Sequence, residues 1–212
     1  MRTEEKKPEV LVNSGRSGGI QQEIGNMKKN LVFIGMPAVG KSTVGIVVAK
    51  RLGMNFIDVD LLIQEQEHKL LREIIAEEGQ EGFLKIENRI NASLQAENSV
   101  ISPGGSVIYC EEAMRHYKKI GIIVYLKASY PTIKRRIRNP KKRGVVLKEG
   151  QSLKDLYWER VPYFEKYADI TVCEDGCRIE DTIGNVLRAV KKYKKKTYSR
   201  KKLDKKPGRT LQ

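Results

Sequence analysis

The sequence predicts an α/β fold built on a mostly parallel sheet. Three observations lead there: short β-branched apolar runs alternate with segments of helical period, five such runs occur, and the first leads into a glycine-rich turn that opens a helix. The predicted strands cover 31–34, 56–58, 100–102, 122–126 and 170–172, a normal number for one sheet. Helices are predicted between and after them at 41–52, 60–67, 70–78, 80–95, 111–118, 130–138, 152–167 and 178–190. In the first of these, Val44, Val47, Val48 and Leu52 form the inward side, and Gly53 is placed to close the helix. No internal repeat is visible.

A chain of 212 residues, 40% hydrophobic, supports one α/β domain with a packed core plus a tail. Apolar runs such as 120–126 fall far short of the roughly 20 residues that span a bilayer, so no membrane partner is expected. The first nineteen residues mix acids, bases and glycines where a secretory signal needs an apolar stretch, which points to the cytoplasm. Cys110, Cys173 and Cys177 are an odd set, so free thiols are expected rather than a disulfide framework. His68 and His116 lie away from metal-ligand spacing to them, so no structural metal is expected.

The net charge of +15 is unevenly placed. From Lys191 onward there are eleven Lys or Arg against one acid, Asp204, and residues 1–29 hold six bases and four acids. The remaining 161 residues carry +3. Residues 191–212 have too little apolar surface to fold alone and read as a disordered basic tail. Such a tail binds nucleic acid weakly, without sequence preference and with strong salt dependence. Residues 1–29 lack periodicity and read as a disordered extension, with Met27 a natural start three residues before Asn30. The folded domain is therefore expected to span 30–190, working as a monomer.

Gly35-Met36-Pro37-Ala38-Val39-Gly40-Lys41-Ser42-Thr43 fits G-x-x-x-x-G-K-[ST], after an apolar strand and before an amphipathic helix. Its glycines let the backbone wrap a polyphosphate with successive N–H groups inward, and the helix N-terminus adds partial positive charge. Lys41 supplies a full charge, and the Ser42 hydroxyl suits Mg²⁺. The motif predicts binding of a nucleoside triphosphate but leaves the acceptor open, since such loops serve switches, motors and kinases alike.

Downstream, Phe56-Ile57-Asp58-Val59-Asp60 places two acids at the carboxyl end of the second strand, where ligands collect in open sheets. In an extended chain residues two apart share a face, so both carboxylates would point at one site. Standing alone, Asp60 reads simply as the N-cap of the next helix.

With the loop and the acid pair in place, the order of further motifs resembles the shikimate kinase family over about residues 30–190. The matching runs are FIDVD, EIIAEEGQEGFLKIE, SPGGSV, IIVYL, KKRGVVL and ERVPYFEKYAD. The resemblance implies a nucleoside-monophosphate-kinase-like three-layer sandwich with a five-stranded parallel sheet and a mobile lid, expected over 139–150. It implies Mg-ATP-dependent phosphorylation of a small hydroxylated acid, shikimate to 3-phosphoshikimate in chorismate and aromatic amino acid biosynthesis. By this likeness Gly35, Ala38, Val39, Gly40, Lys41, Ser42 and Thr43 hold ATP, with Arg136 near the adenine, and Ser42 and Asp58 hold Mg²⁺. Asp60, Gly104, Gly105 and Arg160 bind the acceptor, Arg160 through its carboxylate. Arg143 matches the lid arginine over the transferring phosphoryl group, so that Lys41, Asp60 and Arg143 form the expected catalytic set.

Three positions depart from the family pattern. Leu84 stands where an acceptor-binding arginine follows Phe83, Ser106 replaces the third glycine of a glycine turn, and Ala38 replaces the middle glycine of the loop. Hydrogen bonds to charged groups are worth about 1.5–3 kcal/mol, so losing the arginine weakens carboxylate binding by roughly ten- to a hundredfold. Lys85 is a poor substitute, since one helical step turns it about 100° away and an ammonium lacks the guanidinium fork. Ala38 is expected in a backbone region open to alanine. Leu84 and Ser106 raise an alternative acceptor: another small polyol, sugar acid or hydroxy amino acid. A guanine-nucleotide switch is disfavoured by the lack of an Asn-Lys-x-Asp motif.

Overall fold

The first apolar run becomes the central strand of the sheet. In the computed structural model, which describes residues 30–137, 145, 147–148 and 150–204 except the side chains of 198 and 200–204, β1 (Asn30–Ile34) is buried along its whole length. It lies between β3 (Ser99–Ser102) and β4 (Gly121–Lys127), with β2 (Asn55–Asp58) and β5 (Ile170–Cys173) at the edges. The order is β2-β3-β1-β4-β5 and every pairing is parallel. All five predicted strands are present, each within one residue at either end. The near-continuous burial of β1, β3 and β4 follows from helices covering both faces of the sheet centre, whereas the edge strand β5 alternates buried and exposed residues. Segment 1–29 with Met27, Arg143 with most of the predicted lid, and 205–212 lie outside the described residues.

Asn30 fastens the N-terminal end of the sheet. Its buried amide donates to Ala96 O at 2.7 Å and Ile120 O at 3.1 Å, while its Oδ1 accepts from Ser99 N at 2.9 Å. One side chain thereby satisfies backbone groups leading into both neighbouring strands, which a buried sheet end requires.

The helices are α1 (Lys41–Leu52), α2 (Val59–Glu67), α3 (Leu71–Ser93), α4 (Glu111–Ile120), α5 (Tyr130–Arg136), α6 (Leu153–Tyr167) and α7 (Ile179–Asp204). A 3₁₀ turn at Val107–Tyr109 was not predicted. The two helices predicted at 70–78 and 80–95 form the single run α3, bent at Gly79, whose φ of 68° and ψ of −176° leave helical geometry. In α1, Val44 and Val48 are buried as predicted, and Gly53 caps the helix at φ 63°. Val47 is only partly buried, and Leu52 is 41% exposed because burial ends before the helix does.

The largest difference is at the C-terminus. The last helix does not stop near Val190 but continues to Asp204, through residues expected as disordered tail. Ile183, Val186 and Val190 anchor it in the core, and Tyr193 packs against that core one turn on. A docked helix is already nucleated, and Lys and Arg propagate it well, so composition alone misjudges this segment. No helix among the described residues is long and apolar enough to cross a membrane.

Candidate active site

The loop between β1 and α1 wraps tightly because three of its residues take positive φ: Gly35 at 149°, Ala38 at 60° and Gly40 at 109°. Gly35 is also needed for space, since a Cβ there would lie 2.6 Å from Leu126 O. Ala38 contradicts the expectation of an ordinary backbone region. The loop's curvature imposes a left-handed conformation that costs an alanine about 1–2 kcal/mol. At the start of α1 the Lys41 ammonium folds back on the loop, donating to Gly35 O at 3.2 Å. Burial lowers its pKa, and the nearby Asp60 carboxylate works against that.

The acid pair is arranged differently from the extended-chain picture. β2 ends at Asp58 and α2 starts at Val59, so Asp58, not Asp60, is the N-cap, its Oδ1 accepting from Asp60 N at 3.1 Å. Its Oδ2 accepts from Ser42 Oγ at 2.8 Å, and Ser42 Oγ is 3.3 Å from Ser102 Oγ. This cluster of hard oxygen donors fits Mg²⁺, which takes one or two protein carboxylates and completes its shell with phosphate and water. Capping by Asp58 leaves the Asp60 carboxyl free to face the crevice, where burial raises its pKa.

That crevice, about 290 Å³, is lined by Lys41, Ser42 and Asp60 on one side and by Phe83, Glu87 and the Ser102–Ser106 turn on the other. Gly104 and Gly105 have no positive φ; what they supply is room. A Cβ on Gly104 would lie 2.5 Å from Glu87 Oε1 and 3.0 Å from Asp60 Oδ1, and one on Gly105 would lie 3.0 Å from Arg160 Nη1. Arg160 is 3% exposed, sits 5.4 Å over the Tyr109 ring and donates through Nε to Tyr109 Oη at 3.4 Å. Among the described residues no carboxylate lies within ion-pair distance of it. Its positive charge still reaches Lys41, whose pKa it depresses. Lys41, Asp60, Gly104, Gly105 and Arg160 are thus brought together, with Ser42 and Asp58 beside them.

Glu87, the last residue of the matching run 73–87, is given no role in the sequence reading. It is fully buried, its Oε2 accepts from Ser106 Oγ at 2.7 Å, and its Oε1 has no hydrogen-bond partner among the described residues. Burial lifts its pKa to about 7 against the pull of Ser106, and the Asp60 charge adds to the rise. A signal was present: Phe83, Glu87 and Ile90 follow the i, i+4, i+7 spacing of one buried helix face, where an acid is anomalous. Leu84 packs against the core and Lys85 is exposed, so neither replaces the missing arginine.

A second cavity, about 190 Å³, adjoins the other side of the loop and is lined by Ala38, Val39, Gly40, Thr43, Arg136 and Glu174 among others. Arg136 Nη1 donates to Val39 O and to Glu174 Oε2, each at 2.8 Å. Buried Glu174, in the turn after β5, keeps Oε1 unpaired among the described residues, and no pattern in the sequence marks it.

The shikimate kinase family model matches residues 37–191. Shikimate kinase of Thermodesulfovibrio yellowstonii is 33% identical over 163 residues, covering 76% of this chain and 94% of that protein. Threonine synthase-like 1 of Pongo abelii is 37% identical over 168 residues, 78% of this chain, but the chain spans only 23% of that protein's length. Among solved structures, shikimate kinase from Acinetobacter baumannii in complex with shikimate superposes with a TM-score of 0.70 at 26% identity, covering 79% of this chain and 96% of that one.

Proposed function

The chain belongs to the shikimate kinase family, and from that premise we infer that it transfers the γ-phosphoryl group of Mg-ATP to a hydroxyl of a small hydroxylated acid. Shikimate is the first acceptor, giving 3-phosphoshikimate on the route to chorismate and the aromatic amino acids. The observation that carries this reading is the meeting of the Lys41 ammonium and the Asp60 carboxyl in one crevice, with the buried guanidinium of Arg160 directly behind its Gly105 wall.

In this reading the loop N–H groups and Lys41 hold the triphosphate, with Arg136 beside the base. Ser42 and Asp58 would hold Mg²⁺, which would supply charge compensation to the phosphates. Arg160 and the backbone at Gly104 and Gly105 hold the acceptor through its carboxylate. Asp60 orients the attacking hydroxyl and receives its proton as the oxygen bonds to phosphorus and ADP leaves. Arg143, outside the described residues, is assigned by the family pattern to the transferring group. The kinase domain is taken to begin at residue 30 and to include α7, acting as a cytoplasmic monomer, with the basic residues after Val190 binding phosphate polymers only weakly.

Leu84 favours a second reading, a kinase of another small polyol, sugar acid or hydroxy amino acid. A coupled assay of ADP release over shikimate and a panel of such acceptors tests both. Turnover confined to shikimate supports the first, turnover of another acceptor the second, and no acceptor-dependent ADP release defeats the kinase assignment.

A further inference from the structure

The acceptor half of the crevice has an unusual balance of charge. Once Lys41 and Asp58 are committed to phosphate and metal, the charged side chains left in the described lining are two acids, Asp60 and Glu87, and the base that reaches them is Arg160, beside Gly105. Glu87 Oε1 and Asp60 Oδ1 lie 2.5 Å and 3.0 Å from one point beside Gly104, and so at most 2.5 + 3.0 = 5.5 Å apart. One cationic donor reaching 2.7–2.9 Å to each oxygen spans a gap of that size. Ser106 holds the second oxygen of Glu87, so the carboxyl is fixed with Oε1 toward Gly104 and the crevice.

An acceptor carrying only a carboxylate satisfies Arg160 but leaves Oε1 of Glu87 buried and unpaired, which is costly for a carboxylate. An acceptor carrying both a carboxylate and an ammonium satisfies both. We propose that Glu87, held by Ser106, forms an ammonium-binding subsite beside Asp60, so that the acceptors this crevice selects are short zwitterionic hydroxy amino acids. The carboxylate of such a molecule pairs with Arg160, its ammonium with Glu87, and its hydroxyl with Asp60. The transfer keeps its balance: the hydroxyl oxygen bonds to γ-phosphorus, the bridging oxygen leaves with ADP, and the proton passes to Asp60.

The groups facing Glu87 agree with this assignment. Lys41 and Arg160 favour its charged form, Asp60 opposes it, and the Cys110 thiol and Tyr117 hydroxyl lie close enough to be pushed toward their neutral forms by it. Burial disfavours the lone carboxylate, and an incoming ammonium restores it. Leu84 belongs to the same arrangement, because an arginine there would add positive charge beside Glu87 and compete with the ammonium. The proposal rests on the kinase reading above and takes the hydroxy amino acid of its second reading over shikimate as acceptor.

The test uses the full chain with Mg-ATP and three matched pairs of acceptors: L-serine, L-threonine and L-homoserine, each beside the hydroxy acid that lacks its amine, with shikimate as reference. Phosphorylated product is read by ³¹P NMR and rates by ADP release. At least one amino acid is expected to exceed its amine-free partner in kcat/KM by tenfold or more. Glu87→Gln is expected to lower that ratio at least tenfold, mainly through KM, and Ser106→Gly to lower it less without loss of folding. If the amine-free partner is used as well as the amino acid, or if both variants leave the ratio unchanged, the subsite is wrong. Phosphorylation of shikimate with none of the amino acids overturns this proposal alone. Transfer to no acceptor overturns it together with the kinase assignment.

Discussion

The ends of the crevice proposed for phosphate and for the acceptor are built by different means. At the phosphate end, nine consecutive residues supply the loop, and its shape comes from backbone dihedrals at Gly35, Ala38 and Gly40. At the acceptor end, Asp60, Glu87, the Gly104–Ser106 turn and Arg160 come from four separate segments, and side-chain packing sets their relation. A contiguous, backbone-built site constrains each position through its dihedrals, and the one departure there, Ala38, still takes the left-handed φ of 60° that the loop imposes. A site assembled from side chains can change specificity one residue at a time, and the departures at Leu84 and Ser106 fall at that end.

This contrast gives an ordered set of predictions. Lys41→Ala is expected to lower kcat by roughly a thousandfold with every acceptor, since charge compensation at the phosphoryl group is lost. The unfolding temperature should change little, because burial already disfavours this charge and its removal offsets the loss of the bond to Gly35 O and of the attraction to Asp60. Comparable activity in that variant would break the assignment of the phosphate end. Asp60→Asn is expected to reduce kcat about a hundredfold while the KM for ATP stays nearly constant; a defect in ATP binding alone would move Asp60 to the other end of the crevice.

Leu84→Arg sharpens the acceptor end. Restoring a guanidinium there is expected to raise kcat/KM for shikimate by about tenfold or more, measured beside an unchanged KM for ATP. The pH dependence of stability isolates Glu87. Its folded-state pKa, raised from 4.5 to about 7, means the native state holds a proton that the unfolded chain releases between those values. This group's contribution to stability therefore falls as pH rises from 4.5 to about 7. Denaturant unfolding across that range should show a shallower decline in Glu87→Gln than in the wild type. The smallest effect is at Ala38. Replacement by glycine relieves the left-handed strain but frees the unfolded chain, so a gain of about 1 kcal/mol or less is expected in the same measurement.

The elements that could be read from the chain share one property, that their cause is local. All five strands and the loop motif follow from apolar runs and adjacent residue types, and the break at Gly79 falls where two helices were expected to meet. Where a distant partner decides, the reading fails. Asp60 looks like a cap until α2 is seen to start at Val59, and 191–204 look unstructured until α7 is seen docked through Val190 and Tyr193. Glu87 could have been noticed as an acid on a buried helix face, but its partner Ser106 is nineteen residues away.

The amino-acid sequence by itself determined the parallel sheet, the nucleotide loop and the family, because periodicity, glycine placement and motif order are properties of neighbouring residues. Only the tertiary structure decided which acid caps α2, how Ala38 sits in the loop, and which carboxyl oxygen in the crevice has no partner among the described residues. Those depend on distances between segments far apart in the chain, and hydrogen bonding, burial and Coulomb interaction act through space.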